Sequence, residues 1–263
     1  MGVLNVTPDS FSDGGMYLDP AQAVAHGEEM IAQGADVVDV GGESTRPGAS
    51  PVELTEELRR VIPVVEGLAG RVRISIDTTK AEVARAAVAA GATLVNDVSA
   101  SLSWVAAELE VGWIAMHMAG SPPSMQVDPR YDDVVAEVRC YLVSKATEAL
   151  RLGVKEVWID PGFGFGKTVS HNLDLLANIG AFVETGFPVV LGTSRKSTLG
   201  VLVAQSDGRV AADSGEVEVR DRLEASIATA TWAMTRGVRM VRVHDVRGTV
   251  QAAKLVTPSP ALP

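Results

Sequence analysis

A single cysteine stands in 263 residues, so no disulfide can form within the chain and a disulfide-stapled fold is excluded. Aromatic residues are scarce too. Phe, Trp and Tyr make up 5% of the chain, which leaves Val, Ile, Leu and Ala to fill a core. Positive charge is in deficit: 23 Lys and Arg against 33 Asp and Glu give 23 − 33 = −10. A surface of that sign repels a phosphate backbone, so non-specific nucleic-acid binding is disfavoured and an anionic small ligand needs locally placed basic groups. No apolar run approaches the ~20 residues that span a bilayer, and no basic segment leads into a signal-like apolar stretch. The expected location is the cytoplasm. The four histidines, at 26, 117, 171 and 244, show no metal-ligand spacing.

What the chain has is an alternation. Eight short β-branched runs end in polar residues: Val3-Leu4-Asn5, Val37-Val38-Asp39-Val40 before Glu43, Ile74-Ser75-Ile76-Asp77, Leu94-Val95-Asn96-Asp97, Ile114-Ala115-Met116-His117, Val157-Trp158-Ile159-Asp160, Val189-Val190-Leu191 before Ser194, and Met240-Val241-Arg242-Val243-His244. Between them lie segments of helical periodicity at 21–33, 51–68, 79–90, 104–109, 132–152, 170–183, 196–203, 220–235 and 246–255. Gly34, Gly91, Gly153, Gly186 and Gly237 each follow a helical pattern and precede a strand, as a glycine closing a helix in the left-handed conformation should. Alternating strands and helices require a parallel sheet, either doubly wound or closed. Eight strands with polar tips favour a single-domain α/β fold, a (β/α)8 TIM barrel over residues 1–256, with a Pro-rich tail at 257–263. In such a barrel the strand C-termini form the catalytic face. Residues 205–219 read as a long polar surface loop. Cys140, among Val134, Val135, Val138 and Leu142, is expected to be a buried, inert thiol.

The motifs have bland and functional readings. Gly166-Lys167-Thr168 imitates the end of a phosphate-binding P-loop, but the first glycine position holds Pro161, so a glycine-rich loop approaching a flat ligand, with Asp160 aimed into the pocket, is the better reading. Gly192-Thr193-Ser194-Arg195-Lys196 departs from the G-x-S-x-G nucleophile elbow at Lys196, and suits an anion or carboxylate site at a helix start instead. His26 and His171 read as surface helix residues. His117 and His244 sit at strand tips, and Arg242 lies on the same side as His244, where the two can share an anion. Residues 5–15 and 43–48 form two loops whose Asp, Ser, Thr, Pro and Gly content fits ordinary turns. Their place on the presumed catalytic face favours a role in binding phosphate, hydroxyl or metal.

Taken in order, NVTPDSFSDGG (5–15), DVGGESTRPG (39–48), SIDT (75–78), NDVS (96–99), MHM (116–118), DPGFGFGKTVSHN (160–172), GTSRK (192–196) and RVHDV (242–246) closely resemble the dihydropteroate synthases of the folate pathway. Enzymes of that family, targets of sulfonamides, are β/α barrels that join 6-hydroxymethyl-7,8-dihydropterin diphosphate to 4-aminobenzoate and release pyrophosphate. The resemblance implies that Asp160 and Asn96 bind the amino-pyrimidine edge of the pterin, while Asp77 meets nearby ring nitrogens and offsets developing positive charge. It implies that Lys196 contacts the pterin carbonyl side and the aminobenzoate ring, and that Arg242 stacks on the pterin and holds the diphosphate with His244. Asn5 would bind the diphosphate and its Mg²⁺, and Thr45 with Arg46 would close the second loop. Phe11 and Pro47 would wall the aminobenzoate, with Ser194 receiving its carboxylate. His117 would support the site through hydrogen bonds, and the chain would form a homodimer through its outer helices. Ser197-Thr198-Leu199 departs from the bulkier residues often found there, which puts packing beside the aminobenzoate pocket in doubt. Two other readings share parts of the pattern: a methyltetrahydrofolate:corrinoid methyltransferase-type barrel, which has no need of Arg46, Lys196, Arg242 and His244 together, and a non-catalytic pterin-binding paralogue, which should show damage in the first two loops or at SRK.

Overall fold

The computed structural model describes residues 1–7, 19–44, 49–120, 124–208 and 217–257. Among these residues eight strands run in chain order: β1 Gly2–Asn5, β2 Val37–Gly41, β3 Arg73–Asp77, β4 Leu94–Asp97, β5 Gly112–Met116, β6 Val157–Asp160, β7 Val190–Leu191 and β8 Met240–Val241. The first six form one parallel sheet in sequential order, and β7 pairs with β8. Bridges Ile159↔Val189 and Gly2↔Val243 join the two pieces, and Val3 N–H donates to the Val243 carbonyl at 3.0 Å, so the ring closes as a barrel.

The helices between strands are α1 Pro20–Ala32, α2 Leu54–Leu68, α3 Ala81–Ala89, α4 Ser103–Glu108, α5 Val134–Leu152, α6 Val169–Ala177, α7 Gly180–Val183, α8 Ser197–Ser206, α9 Leu223–Thr235 and α10 Val246–Val256. All five expected closing glycines take positive φ, from 84° at Gly186 to 121° at Gly91. Among the described residues no helix is long and apolar enough to cross a membrane.

Residues two apart on a strand share a face, which divides the barrel interior into levels. At the bottom Arg73 and Glu156 form a bidentate ion pair, at 2.8 and 2.6 Å, and Trp158 Nε1 donates to the same carboxylate at 2.7 Å. Above lies a separate apolar cluster of Met1, Val37, Leu94, Ile114 and Val190, with Trp158 and Met240 against it. The larger cluster fills the layer between sheet and helices. The top level is polar. The register places Asn5 beside Gly41, Gly41 beside Asp77, and Asp77 beside Asn96.

Three expectations need correction. The helical pattern at 170–183 is two helices, because Asn178 caps α6 and a new turn starts after it. Cys140 is exposed: α5 buries Val134, Val138, Leu142, Ala146 and Ala149, and position 140 falls two residues off that stripe. The stretch at 205–219 is not surface throughout, since α8 runs to Ser206 and Val217 is buried, its carbonyl taking two bonds from Arg222. Residues 209–216 and 258–263 lie outside the described residues.

Asp97 shows how alternation separates function from stability. Its neighbour Asn96 faces the interior, so Asp97 faces the helices, where it is fully buried and accepts from the Ser99, Ser101 and Leu102 backbone N–H groups and from Trp113 Nε1 at 2.7–3.2 Å. Replacing it leaves buried donors unpaired. Asp97→Ala is expected to lower the unfolding free energy by about 3 kcal/mol in urea titration. A loss under about 1 kcal/mol would contradict the capping role.

Candidate active site

At the mouth of the barrel, four strands contribute one connected polar network. Arg242, just past β8, donates from Nε to Asp39 Oδ2 at 2.7 Å and from Nη2 to Asp77 Oδ2 at 2.8 Å. Asn96 Nδ2 donates to the same Asp39 oxygen at 2.9 Å. Burial pushes the Asp77 carboxyl up to about 7; Arg242 opposes this and the Asp39 charge adds to it. Burial also works against the Arg242 charge, but Asp39 and Asp77 outweigh it and hold the guanidinium above its ordinary value. Gly41, level with Asp77, has no side chain: a Cβ there would lie 3.5 Å from both Asn5 Oδ1 and Asp77 Cβ. The glycine keeps the space between those two side chains open.

Across the mouth, the β6–α6 loop approaches from Asp160. That carboxylate is buried, accepts the Gly162 N–H at 2.8 Å, and is raised by burial. Gly162 has φ +68°, and a Cβ on it would fall 1.8 Å from the His117 carbonyl oxygen, so no side chain fits. The loop wraps around Lys167. Its buried Nζ donates to the Gly162 and Phe165 carbonyls at 3.0 and 2.9 Å and meets His117 Nδ1 at 3.0 Å. Burial pushes the Lys167 amine down to about 7, with the Asp160 charge opposing and the Lys196 charge adding to the shift. A lysine turned inward onto its own loop is no phosphate cradle. Asn172 accepts the Gly164 N–H at 2.7 Å, and Tyr131 and Gln126 donate to the Gly166 and Gly164 carbonyls.

This loop in turn seats Lys196, whose Nζ donates to the Phe163 carbonyl at 2.6 Å and lies 3.9 Å from the Phe165 ring centroid. Burial pushes the Lys196 amine down to about 7, with Asp160 opposing. Ser194 is 3.1 Å from His244 Nδ1 and accepts the His244 backbone N–H at 3.2 Å, so it positions the histidine. Arg195 between them takes φ +59°, held by a bidentate pair with Asp245 at 3.1 and 2.8 Å, by Ser226 Oγ on its N–H, and by Arg222 on its carbonyl. The doubtful Ser197-Thr198-Leu199 stretch packs well: Thr198 and Leu199 are buried, and Thr198 Oγ1 accepts from Asn172 at 2.9 Å.

Asn5, Asp77, Asn96, Asp160, Ser194, Lys196, Arg242 and His244 thus stand on the same face of the barrel. Phe11, Thr45, Arg46 and Pro47 lie outside the described residues. Glu43, at the base of the second loop, ion-pairs with Lys80, which also pairs with buried Glu57. Among the described residues no group of three or more His, Cys, Asp or Glu could hold a metal ion. Sequence reasoning gave no role to Asp39, Lys167 or Asn172. For Asp39 the available signal is an acidic residue inside a strand run, two residues before Gly41 and so on the inward face; Lys167 and Asn172, in the β6–α6 loop and α6, carry no such signal. His171, expected on the surface, is half-buried and forms a capping box with Thr168.

His117 is kept neutral. Burial first, then the Lys167 charge, pushes its imidazole down to about 3 from 6.5. Between those values the unfolded chain binds a proton that the folded chain refuses, so stability is lost as pH falls through the interval. His117→Gln keeps an acceptor for Lys167 without the titration. Urea unfolding at pH 7 and pH 5 is expected to show a smaller acid loss for the variant than for the wild-type chain; equal losses would refute the neutral-histidine assignment.

A family model described as pterin binding enzyme matches residues 1–244. The chain is 46% identical over 265 residues to the dihydropteroate synthase of Escherichia coli K12, covering 97% of this chain and 89% of that protein. The Yersinia pestis dihydropteroate synthase, solved with a sulfonamide drug complex, superposes with a TM-score of 0.90 at 40% identity, covering 97% and 92% of the two chains. The Xanthomonas albilineans dihydropteroate synthase in complex with 7,8-dihydropteroate does so with a TM-score of 0.81 at 42% identity, covering 97% and 90%.

Proposed function

The chain belongs to the pterin-binding enzymes and, among them, to the dihydropteroate synthases, and on that premise we propose how its own residues carry the condensation of 6-hydroxymethyl-7,8-dihydropterin diphosphate with 4-aminobenzoate. The observation that supports the assignment best is the opposed set of groups at the barrel mouth. Asp77, Asn96 and Asp160 supply acceptors, and Lys196 and Arg242 supply donors. A pterin carries ring N–H and amino donors along one edge and a carbonyl beside them, and so matches both sets.

In this reading Asp160 and Asn96 take the amino-pyrimidine edge, and Lys196 meets the carbonyl side with its alkyl stem along the aminobenzoate ring. Arg242 lays its plane against the pterin and, with His244 held by Ser194, receives the diphosphate. Ser194 and the start of α8 also face the aminobenzoate carboxylate. Thr45 and Arg46 close the second loop, and Phe11 and Pro47 wall the aminobenzoate. The bond from the methylene carbon to the diphosphate oxygen breaks with its electron pair leaving on pyrophosphate. Positive charge spreads into the electron-rich pterin, where Asp77 offsets it. The arylamine, already neutral near pH 7, forms the new C–N bond and releases a proton, so no strong general base is needed.

Asn5 is the residue that would hold Mg²⁺. A single amide oxygen suits an ion that takes few protein ligands and completes its shell with substrate phosphates and water, and when bound it supplies charge neutralisation of the diphosphate. Exposed Leu173, Leu223 and Trp232 on α6 and α9 give the outer helices apolar surface that supports a homodimer. Small polar substrates and the exposed, unpaired Cys140 support a cytoplasmic location.

Pyrophosphate release is expected only with the dihydropterin diphosphate, 4-aminobenzoate and Mg²⁺ all present; silence of the complete mixture would overturn the reading. Asp77→Asn is expected to lower kcat by about a hundredfold while weakening pterin affinity by less than tenfold. Equal losses in both would remove Asp77 from charge stabilisation.

A further inference from the structure

Asp39 sits one register step beneath the mouth, across from Ser75 on β3 and fully buried. Its Oδ2 accepts from both Arg242 Nε and Asn96 Nδ2, at 2.7 and 2.9 Å. Among the described residues its Oδ1 has no hydrogen-bond partner, nor has the neighbouring Ser75 Oγ. A carboxylate placed wholly out of water with one oxygen unsatisfied is a poor stabiliser, and an apolar side chain of similar volume generally serves a barrel interior at least as well. What the charge does accomplish is geometric, and it acts on two residues that face the ligand.

A carboxylate only accepts hydrogen bonds. The end of the Asn96 amide that meets Asp39 is therefore its NH2 group, and the carbonyl oxygen is the end left for a ligand. Arg242 is gripped along one edge, with Nε on Asp39 and Nη2 on Asp77. That grip leaves Nη1 and the flat face of the guanidinium for other partners. Without Asp39, the Asn96 amide is free to turn over and Arg242 keeps a single carboxylate to swing about.

We propose that Asp39 is a positioning residue for pterin recognition, which fixes the Asn96 carbonyl as the acceptor shown to the ligand and locks Arg242 edge-on, without itself touching either substrate. The inference rests on the pterin site described under Proposed function. It makes Asp39 a determinant of specificity: a ligand that presents an N–H donor to Asn96 is favoured over an analogue that lacks it.

The test uses the full chain and three variants, with calorimetric binding of 6-hydroxymethylpterin and of its 2-deamino analogue and a melting curve for each protein. Asp39→Asn keeps an acceptor oxygen where both donors meet; Asp39→Val removes it, and Asp39→Ser draws it out of reach. Asn is expected to bind the pterin within about threefold of the wild-type chain, and Val and Ser about thirtyfold more weakly. The preference for the 2-amino ligand should survive in Asn and fall by roughly tenfold in Val and Ser. A purely structural role would lower the melting temperature but leave that preference unchanged in the folded fraction. Wild-type affinity and preference in folded Val or Ser overturns the proposal, and so does a loss in Asn as large as that expected of Val. If the wild-type chain itself binds no pterin, the functional reading fails instead.

Discussion

One guanidinium shared by two carboxylates organises the end of this barrel at the strand C-termini. Arg242 reaches from beyond β8 to Asp39 on β2 and Asp77 on β3, so a contact between residues 203 apart in sequence also ties the last strand to the second. Two negative charges against one positive charge leave the pair short of full neutralisation where Asp39 and Asp77 are both buried. The carboxylate nearer the mouth responds, and Asp77 rises to about 7. Lys196, on the opposite wall, is driven to the same region from the other direction. An acid and an amine both displaced toward neutrality face one pocket, as expected where a site must meet a ligand that is part donor and part acceptor.

The second wall depends on a different device. The β6–α6 loop contains Gly162, Gly164 and Gly166, all at positive φ, and such a backbone has no side-chain packing of its own. Lys167 supplies the missing core by turning its ammonium inward and collecting the loop's carbonyls. Asn172, Gln126 and Tyr131 hold the outside. The loop then offers the Phe163 carbonyl to Lys196. The position of Lys196 is thus set by a second, buried lysine, and His117 must stay neutral to accept from it.

The barrel and the face that carries chemistry were legible in the sequence because both follow from local rules. Strand runs such as Leu94-Val95-Asn96-Asp97 announce themselves by composition, and closing glycines such as Gly153 by the turn they require. The residues that arrange the site were not legible. Asp39 looks like an ordinary polar interruption of a strand until β8 brings Arg242 over it, and Lys167 resembles a phosphate ligand until the loop folds back on itself. Cys140 departs from expectation for a related reason: its neighbours fit a helix, but which face of α5 turns inward is decided by the sheet it packs on.

The interior of the barrel explains why so much charge can gather at one end. An ion pair of Arg73 with Glu156 closes the bottom, and an apolar layer from Met1, Val37, Leu94, Ile114 and Val190 separates it from the mouth. That layer is close-packed and apolar, so the top level is desolvated from below. The chain as a whole carries −10, and a doubly anionic substrate approaching it is drawn only where basic groups are concentrated. Lys196 follows β7, and Arg242 and His244 follow β8, while Asp39, Asp77 and Asn96 stand on β2, β3 and β4. Arg242 joins the two groups, because its guanidinium bonds Asp39 and Asp77 directly, so cation and carboxylates share one wall of the mouth and fix each other's geometry.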